Sequence, residues 1–363
     1  MRIVSPLLKK VLYPALATAG VFRRNSARGL AVVTYHGVLP QGYELVDPSL
    51  DGNLIVAEML RRQLRLLKAH YDVIAPEDAL AWREGRAALA SKAVLLTCDD
   101  GLLNCLTDML PVLREEGLTC LFFVTGASAC EARTMLWYEE LFLMFLHASP
   151  GPFEISTDGI TVTGDLLERD GRRATWWNLV KRLSQVDAKK RESFLRTVRK
   201  QFGLAPWQGS DDRNHATCRR FGLLTCAELR KLSSAGMTIG AHTLSHPMLS
   251  QLPPELGYAE ISESRLRLEA ALEKPVWAFA YPFGDPTSVT PQVLEMPQKA
   301  GYEAAFMNFG GGLGAELPPF ALPRVHVTGG MSLGEFEAHV SGFYLRLQQR
   351  AGRGSPDVGI KQT

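Results

Sequence analysis

Short apolar runs alternate along this chain with stretches whose apolar residues recur at helical spacing. "LAVVTY" (Leu30–Tyr35), "YDVI" (Tyr71–Ile74), "AVLLTC" (Ala93–Cys98) and "TCLFFV" (Thr119–Val124) read as strands. "VAEMLRRQLRLLKAH", "PEDALAWREG" and "LLNCLTDMLPVLREEG", each a single helix, fall between them. The same rhythm returns later with strands "MTIGAH", "VWAFAYPFG", "YEAAFM" and "RVHV" and the helices "TCAELRKLSSAG", "AEISESRLRLEAALE" and "VTPQVLEMPQKAG". Repeated βα units with short loops demand a parallel sheet, open or closed into a barrel. Either architecture gathers its chemistry where the strands end.

The rhythm breaks between residues 126 and 222. "MLWYEELFLMFLHA" is an apolar helix, and "FEISTDGITVTG" alternates around Asp-Gly as a hairpin does. "WWNLVKRLSQVDAKKRESFLRTVRKQFG" carries one or two charged helices. This block reads as an inserted, mainly helical subdomain. The domain plan is then an N-terminal segment (1–29), a catalytic unit in two pieces (30–125 and 223–348), the insert (126–222) and a disordered tail (349–363) rich in Gly, Ser and Lys.

The 363 residues carry a formal net charge of +2, which gives no global reason to bind nucleic acid. The charge is uneven, because no acid precedes Glu44 while Arg2, Lys9, Lys10, Arg23, Arg24 and Arg28 do. Between those bases lies "VLYPALATAGVF", too short to span a bilayer. It reads as a basic amphipathic helix on an anionic membrane face; a helix docked on the protein and a signal peptide are the alternatives. None of the six cysteines forms a C-x-x-C pair, which argues against a structural zinc knuckle and fits a reducing, cytoplasmic compartment.

Polar motifs stand where strands end. "TCDDG" places Asp99 and Asp100 after one strand, and "GAHTLSHP" places His242 and His246 after another. Two histidines four apart share a face on one helical turn and together bind a divalent metal. A catalytic zinc takes three protein ligands and keeps a position open. One aspartate completes that set, and the other is left to take a proton from the metal's water. A helix N-cap accounts for one of these acids but not for both.

"TCDDG" and "HTLSHP" resemble the first two motifs of the polysaccharide deacetylases, carbohydrate esterase family 4, also called the nodulation-factor-deacetylase-type homology domain. Cys98 replaces the Phe of the family's T-F-D-D-G, while the second motif, H-[ST]-x-x-H-P, is matched in full. The resemblance implies a distorted (β/α) barrel and metal-dependent removal of an N-acyl group, above all N-acetyl, from an amino sugar. It implies Asp99 as catalytic base, Asp100, His242 and His246 as metal ligands, and Thr243 as the residue that steadies their loop. Zn²⁺ fits a His/His/Asp set, as do Co²⁺, Mn²⁺ and Ni²⁺.

The third motif departs from the family. In "FAYPFGD", Ala280 stands where many members have an Arg that braces the base, and Asp285 and Arg324 are the candidates to replace it. The backbone N–H of Phe283 falls where the family forms its oxyanion hole, and a backbone donor survives a Tyr-to-Phe change. "LPRVHV" offers His326 as general acid. The Asp-x-x-Asp-Trp motif is missing, with "MNFGGGLG" in its place. Tyr281, Arg324, His36 and Trp137 are the candidate sugar-binding residues. The "Y-P-F-G" variant resembles the branch of the family that acts on exopolysaccharides and surface glycans. The expected partner is therefore an N-acylated glycan, free or lipid-linked at the inner membrane face. Two alternatives stay open: hydrolysis of another amide (formyl or cyclic), and a catalytically silent metal-binding scaffold.

Overall fold

The computed structural model describes residues 11–24, 26, 28–130, 132–157, 159–205, 215–311 and 318–350. The strands are β1 (Gly29–Tyr35), β2 (Asp72–Ile74), β3 (Lys92–Cys98), β4 (Leu121–Val124), β5 (Pro152–Thr157), β6 (Ile160–Asp165), β7 (Thr238–Ala241), β8 (Ala278–Ala280), β9 (Ala304–Gly310) and β10 (Leu322–His326). All pairings are parallel except the β5–β6 hairpin. The order β1, β3, β4, β7, β8, β9, β10 closes because β10 and β3 both pair with β1. Between an open sheet and a barrel, the chain therefore forms the barrel. β2 lies outside the ring, beside the first half of β3, and β4 pairs with the last residues of β3.

Alternation along each strand sorts side chains to two sides. Leu30 and Val32, Ala93 and Leu95, Leu121 and Phe123, and Ala304 and Phe306 share one buried cluster inside the ring. Their neighbours Val33, Leu96, Phe122 and Ala305 pack outward with the helices. Inside, small residues face large ones: an added Cβ on Gly240 would sit 2.6 Å from the Phe123 ring. The inward set continues to the strand ends, where Asp99 and Arg324 follow in the same alternation.

Two helices read as single are broken, and proline is the reason. "LLNCLTDMLPVLREEG" opens with a π turn over Cys105–Met109 before the α-helix Leu110–Glu116, since Pro111 has no N–H for the ladder. Pro297 likewise divides Pro291–Leu294 from Met296–Lys299.

The insert builds its own core. Helices Trp137–His147, Arg169–Leu183 and Ala188–Gln201 and the β5–β6 hairpin bury Phe142, Phe145, Leu179, Phe194 and Val198 together. It is tied to the barrel by a buried guanidinium: Arg220 donates to Asp51 (2.8 Å), to Glu139 (2.8 Å) and to the Leu50 carbonyl (2.8 Å).

The N-terminal segment is not one continuous helix. It forms two short helices, Tyr13–Thr18 and Val21–Arg24, separated by a left-handed Gly20. Tyr13 and Phe22 are buried against Ala338 and Phe343, and Arg23 donates to Glu337 (2.6 Å). The Tyr13 and Phe22 rings are thus covered by the C-terminal helices, as the docked alternative has it, while Val11 and Leu12 are exposed. Residues 1–10, with Arg2, Lys9 and Lys10, lie outside the described residues, as does the tail beyond the helix Phe343–Arg350. Among the described residues, no helix is long and apolar enough to cross a membrane.

Candidate active site

Every motif residue sits at the carboxyl end of a strand, on one rim of the barrel. His36 follows β1, Asp99 follows β3, His242 follows β7, Tyr281 follows β8 and His326 ends β10. The Asp99 N–H extends the pairing of β3 to the Tyr35 carbonyl (2.9 Å). The chain then turns sharply, with Asp100 at φ 74° and Gly101 at φ 73°. A left-handed Asp is tolerated, and Gly at the next position is required, since a Cβ there would lie 2.9 Å from Val124. This turn makes the two adjacent carboxylates diverge.

Asp100 meets the histidines. Its Oδ1 lies 3.6 Å from His242 Nε2 and 3.4 Å from His246 Nε2, with all three residues buried. The three ligand atoms fall within 4.8 Å of one another. Tetrahedral bonds of about 2.0–2.1 Å place ligand atoms roughly 3.3 Å apart, so the spacing suits one small divalent ion. The far side of the ring agrees: His242 Nδ1 contacts the Ala280 carbonyl at 2.7 Å, which leaves Nε2 facing Asp100. Burial works to raise the Asp100 pKa, but the two imidazoles override it and hold the carboxyl well below its usual range.

The histidine pair is not on a helix. Residues 242–248 form a loop, with Thr243 at φ 62° and His246 at φ 56°. A β-branched residue at positive φ is strained, and neighbouring bonds must hold it. Thr243 Oγ1 accepts from the His246 N–H (3.0 Å) and donates to the His242 carbonyl (2.5 Å), and the Gly126 N–H donates to the Thr243 carbonyl (2.8 Å). The two rings end 4.8 Å apart through this loop, not through helical spacing.

Asp99 faces a different partner. Arg324 Nη1 donates to Oδ1 at 2.7 Å and Nη2 to Oδ2 at 2.6 Å, a two-pronged pair with both side chains buried. Its Nε donates to the Met307 carbonyl (2.6 Å), and Nη1 also reaches Thr97 Oγ1 (3.2 Å). Burial would raise the Asp99 pKa, yet the guanidinium and His242 lower it overall. Arg324 is therefore the brace, and its assignment to sugar is corrected: its donors are taken and it is 1 % exposed. Asp285 is not the brace, because its carboxylate accepts from Thr287 N–H and Oγ1 in its own turn.

Two further expectations are corrected. Tyr281 is fully buried, with its hydroxyl donating to the Phe320 carbonyl (2.9 Å), so it supports the wall and offers nothing to a sugar. Trp137 is buried and donates from Nε1 to the His246 carbonyl (3.2 Å), so its role is beneath the loop. His36 and His326 do face each other at the rim, with ring centroids 4.8 Å apart. Burial and the neighbouring His36 push the His326 pKa down to about 3, so its imidazole is neutral; its Nε2 is buried without a partner. Phe283 adopts φ 63°, and its N–H makes no hydrogen bond among the described residues. Its ring lies 5.2 Å from that of His246.

The insert contributes residues that the motifs do not contain. The Tyr138 ring lies 5.2 Å from His246 and 6.2 Å from Phe283. Trp177, 36 % exposed, lies 6.0 Å from Phe283. These aromatics extend one wall outward from the metal ligands. Only the "WY" and "WW" pairs in the sequence hinted at them.

The comparisons with known proteins can be set on this geometry. The family model described as Polysaccharide deacetylase matches residues 151–305, a stretch that includes His242, His246 and Phe283 but not Asp99 or Asp100. A curated relative in Bacillus subtilis (strain 168), the polysaccharide deacetylase YxkH, is 26% identical over 117 residues. Over these stretches the chain is similar to the polysaccharide deacetylases. The alignment to the Bacillus relative covers 32% of this chain and 41% of that protein, less than half its length. Solved structures share the fold across most of the chain. The Streptococcus pyogenes deacetylase PplD in complex with acetate superposes with a TM-score of 0.53 at 16% identity, covering 87% of this chain and 99% of that one. IcaB from Ammonifex degensii gives 0.53 at 18% identity, covering 87% and 98%. At such identities the likeness speaks for the deacetylase barrel alone. The guanidinium that pairs with Asp99 comes from β10, two strands along the barrel from Ala280 of β8.

Proposed function

We propose that the protein is a metal-dependent N-deacetylase acting on an amino sugar within a surface polysaccharide or its lipid-linked precursor. One observation carries the reading: beside a buried Asp100/His242/His246 set stands a second carboxylate, Asp99, held ionised by Arg324 and not needed as a ligand. A silent scaffold would have no use for that arrangement. The match to the Polysaccharide deacetylase model over residues 151–305 supports the reaction class.

Asp100, His242 and His246 would hold the ion. When bound, it supplies Lewis acidity, activating a water and polarising the acyl carbonyl. Asp99 takes the water's proton as general base. Arg324 keeps that carboxylate charged and fixes both oxygens, so the base waits in one orientation. The Phe283 N–H, free of other partners, donates to the oxyanion that forms from the acyl oxygen. His326 enters the cycle neutral, so the proton that reaches the departing amine is the one Asp99 has taken from the water, handed on through the His326 imidazole. Tyr138, Phe283 and Trp177 offer flat apolar faces for sugar rings at the entrance.

The test is acetate release from N-acetylated glucosamine oligosaccharides with Zn²⁺ or Co²⁺ and with chelator. The reading expects metal-dependent release, lost by at least about 100-fold in Asp99→Asn while that variant still binds metal. Metal-bound protein that releases no acetate from any glycan overturns it, and formylated and cyclic amides in the same screen separate the other amide reactions.

A further inference from the structure

Ser245 stands between the two metal-ligating histidines, and it is gripped from both sides. From the barrel, Glu260 of the helix Pro254–Leu272 accepts from the Ser245 N–H (2.8 Å) and from its Oγ (2.5 Å). From the insert, Arg191 Nη2 donates to the same Oγ and to the Ser245 carbonyl. The hydroxyl thus relays a guanidinium to a carboxylate across the loop. The next residue is gripped as well, since Trp137 Nε1 donates to the His246 carbonyl. The two insert side chains support each other, with the Arg191 guanidinium 4.8 Å over the Trp137 ring.

Arg191 is costly where it is. It is 3 % exposed, makes no direct ion pair among the described residues, and leaves Nη1 buried without a partner. Such a group is a poor device for stability alone. Its position gives a reason. A cavity of about 450 Å³ lies between insert and barrel, lined among others by Thr125, Trp137, Arg191, Leu223 and Ser245. On the side of that space Ser245 is held by polar contacts, from Glu260 on the barrel and Arg191 on the insert.

We propose that Trp137 and Arg191 of the inserted unit are positioning residues for the metal centre, clamping Ser245 and His246 so that the left-handed loop aims both imidazoles at one ion. The insert is then a working part of the site and not an appendage to it. The inference rests on the metal reading above.

Trp137→Phe keeps an aromatic ring and removes the donor with part of the indole; Ser245→Ala removes the relay with the loss of one oxygen atom. The experiment titrates Co²⁺ into each full-length variant and into the parent protein. It records affinity and the Co²⁺ d–d absorption, with circular dichroism to select variants that keep the fold. The expected result is affinity weakened by about 10- to 100-fold and an altered d–d spectrum in both. Arg191→Met should match Ser245→Ala. Folded variants with the parent's affinity and spectrum overturn the clamp while leaving the metal reading intact. A parent protein that binds no metal overturns both.

Discussion

Arg324 and Asp99 meet through two parallel hydrogen bonds of 2.7 and 2.6 Å, with both side chains buried at the top of the barrel. They are 225 residues apart in sequence. Removing the guanidinium leaves a buried carboxylate uncompensated. Arg324→Met should therefore cost about 3–5 kcal/mol of stability by denaturant titration. It should also lower turnover by about 100-fold. Because the guanidinium lowers the Asp99 pKa, its loss raises it. The acid limb of the kcat/KM profile should then move to higher pH, and an unmoved limb would remove Arg324 from its role as brace.

Gly101 carries the turn that separates the two acids. Its φ of 73° and the 2.9 Å approach to Val124 leave no place for a methyl group. Gly101→Ala should lose about 1–3 kcal/mol and weaken metal binding as Asp100 shifts. Denaturant titration and calorimetric metal titration on the same preparation check both.

Phe22 is fully buried between Tyr13 and Phe343, at ring distances of 6.1 and 5.1 Å. If the N-terminal segment is docked in solution, Phe22→Ala should destabilise the protein by about 3 kcal/mol. A segment that leaves the protein surface for a membrane would show a much smaller loss in the same denaturant titration.

Trp177 belongs to the outer end of the aromatic wall. Stacking worth about 0.5–1.5 kcal/mol corresponds to a KM rise of roughly 2- to 10-fold for oligosaccharides in Trp177→Ala. Turnover at saturation should hold, and so should the rate on a single acetylated sugar too short to reach the indole. Equal losses on both substrates would place Trp177 outside the glycan path.

The deep inner face explains why some of the site could be read and some could not. "TCDDG" and "HTLSHP" are local patterns at strand ends, so their residues were legible one by one. Cys98, which stands where the family has Phe, points outward and packs 3.7 Å from Cys105, so it does not touch the site. The helical reading of the histidine pair failed because strain at Thr243 and His246 is not written in spacing; it is imposed by Ser245, Glu260, Arg191 and Trp137. Trp137 looked like a sugar platform because aromatics serve both purposes, and only its hydrogen bond to the His246 carbonyl decides.

By itself the sequence determined the alternation that makes a parallel βα sheet and the identity of the acids and histidines available for a metal. Each of these depends on residues close in the chain. Tertiary structure alone decided that the sheet closes and that Arg324, of the two candidates, takes the place left by Ala280. Closure sets inward residues of β3 and β10 within reach of each other across β1, and no local pattern records which side chain fills a shared interior. The same holds for the insert, whose Trp137 and Arg191 acquire a purpose only where folding lays them against the loop of β7.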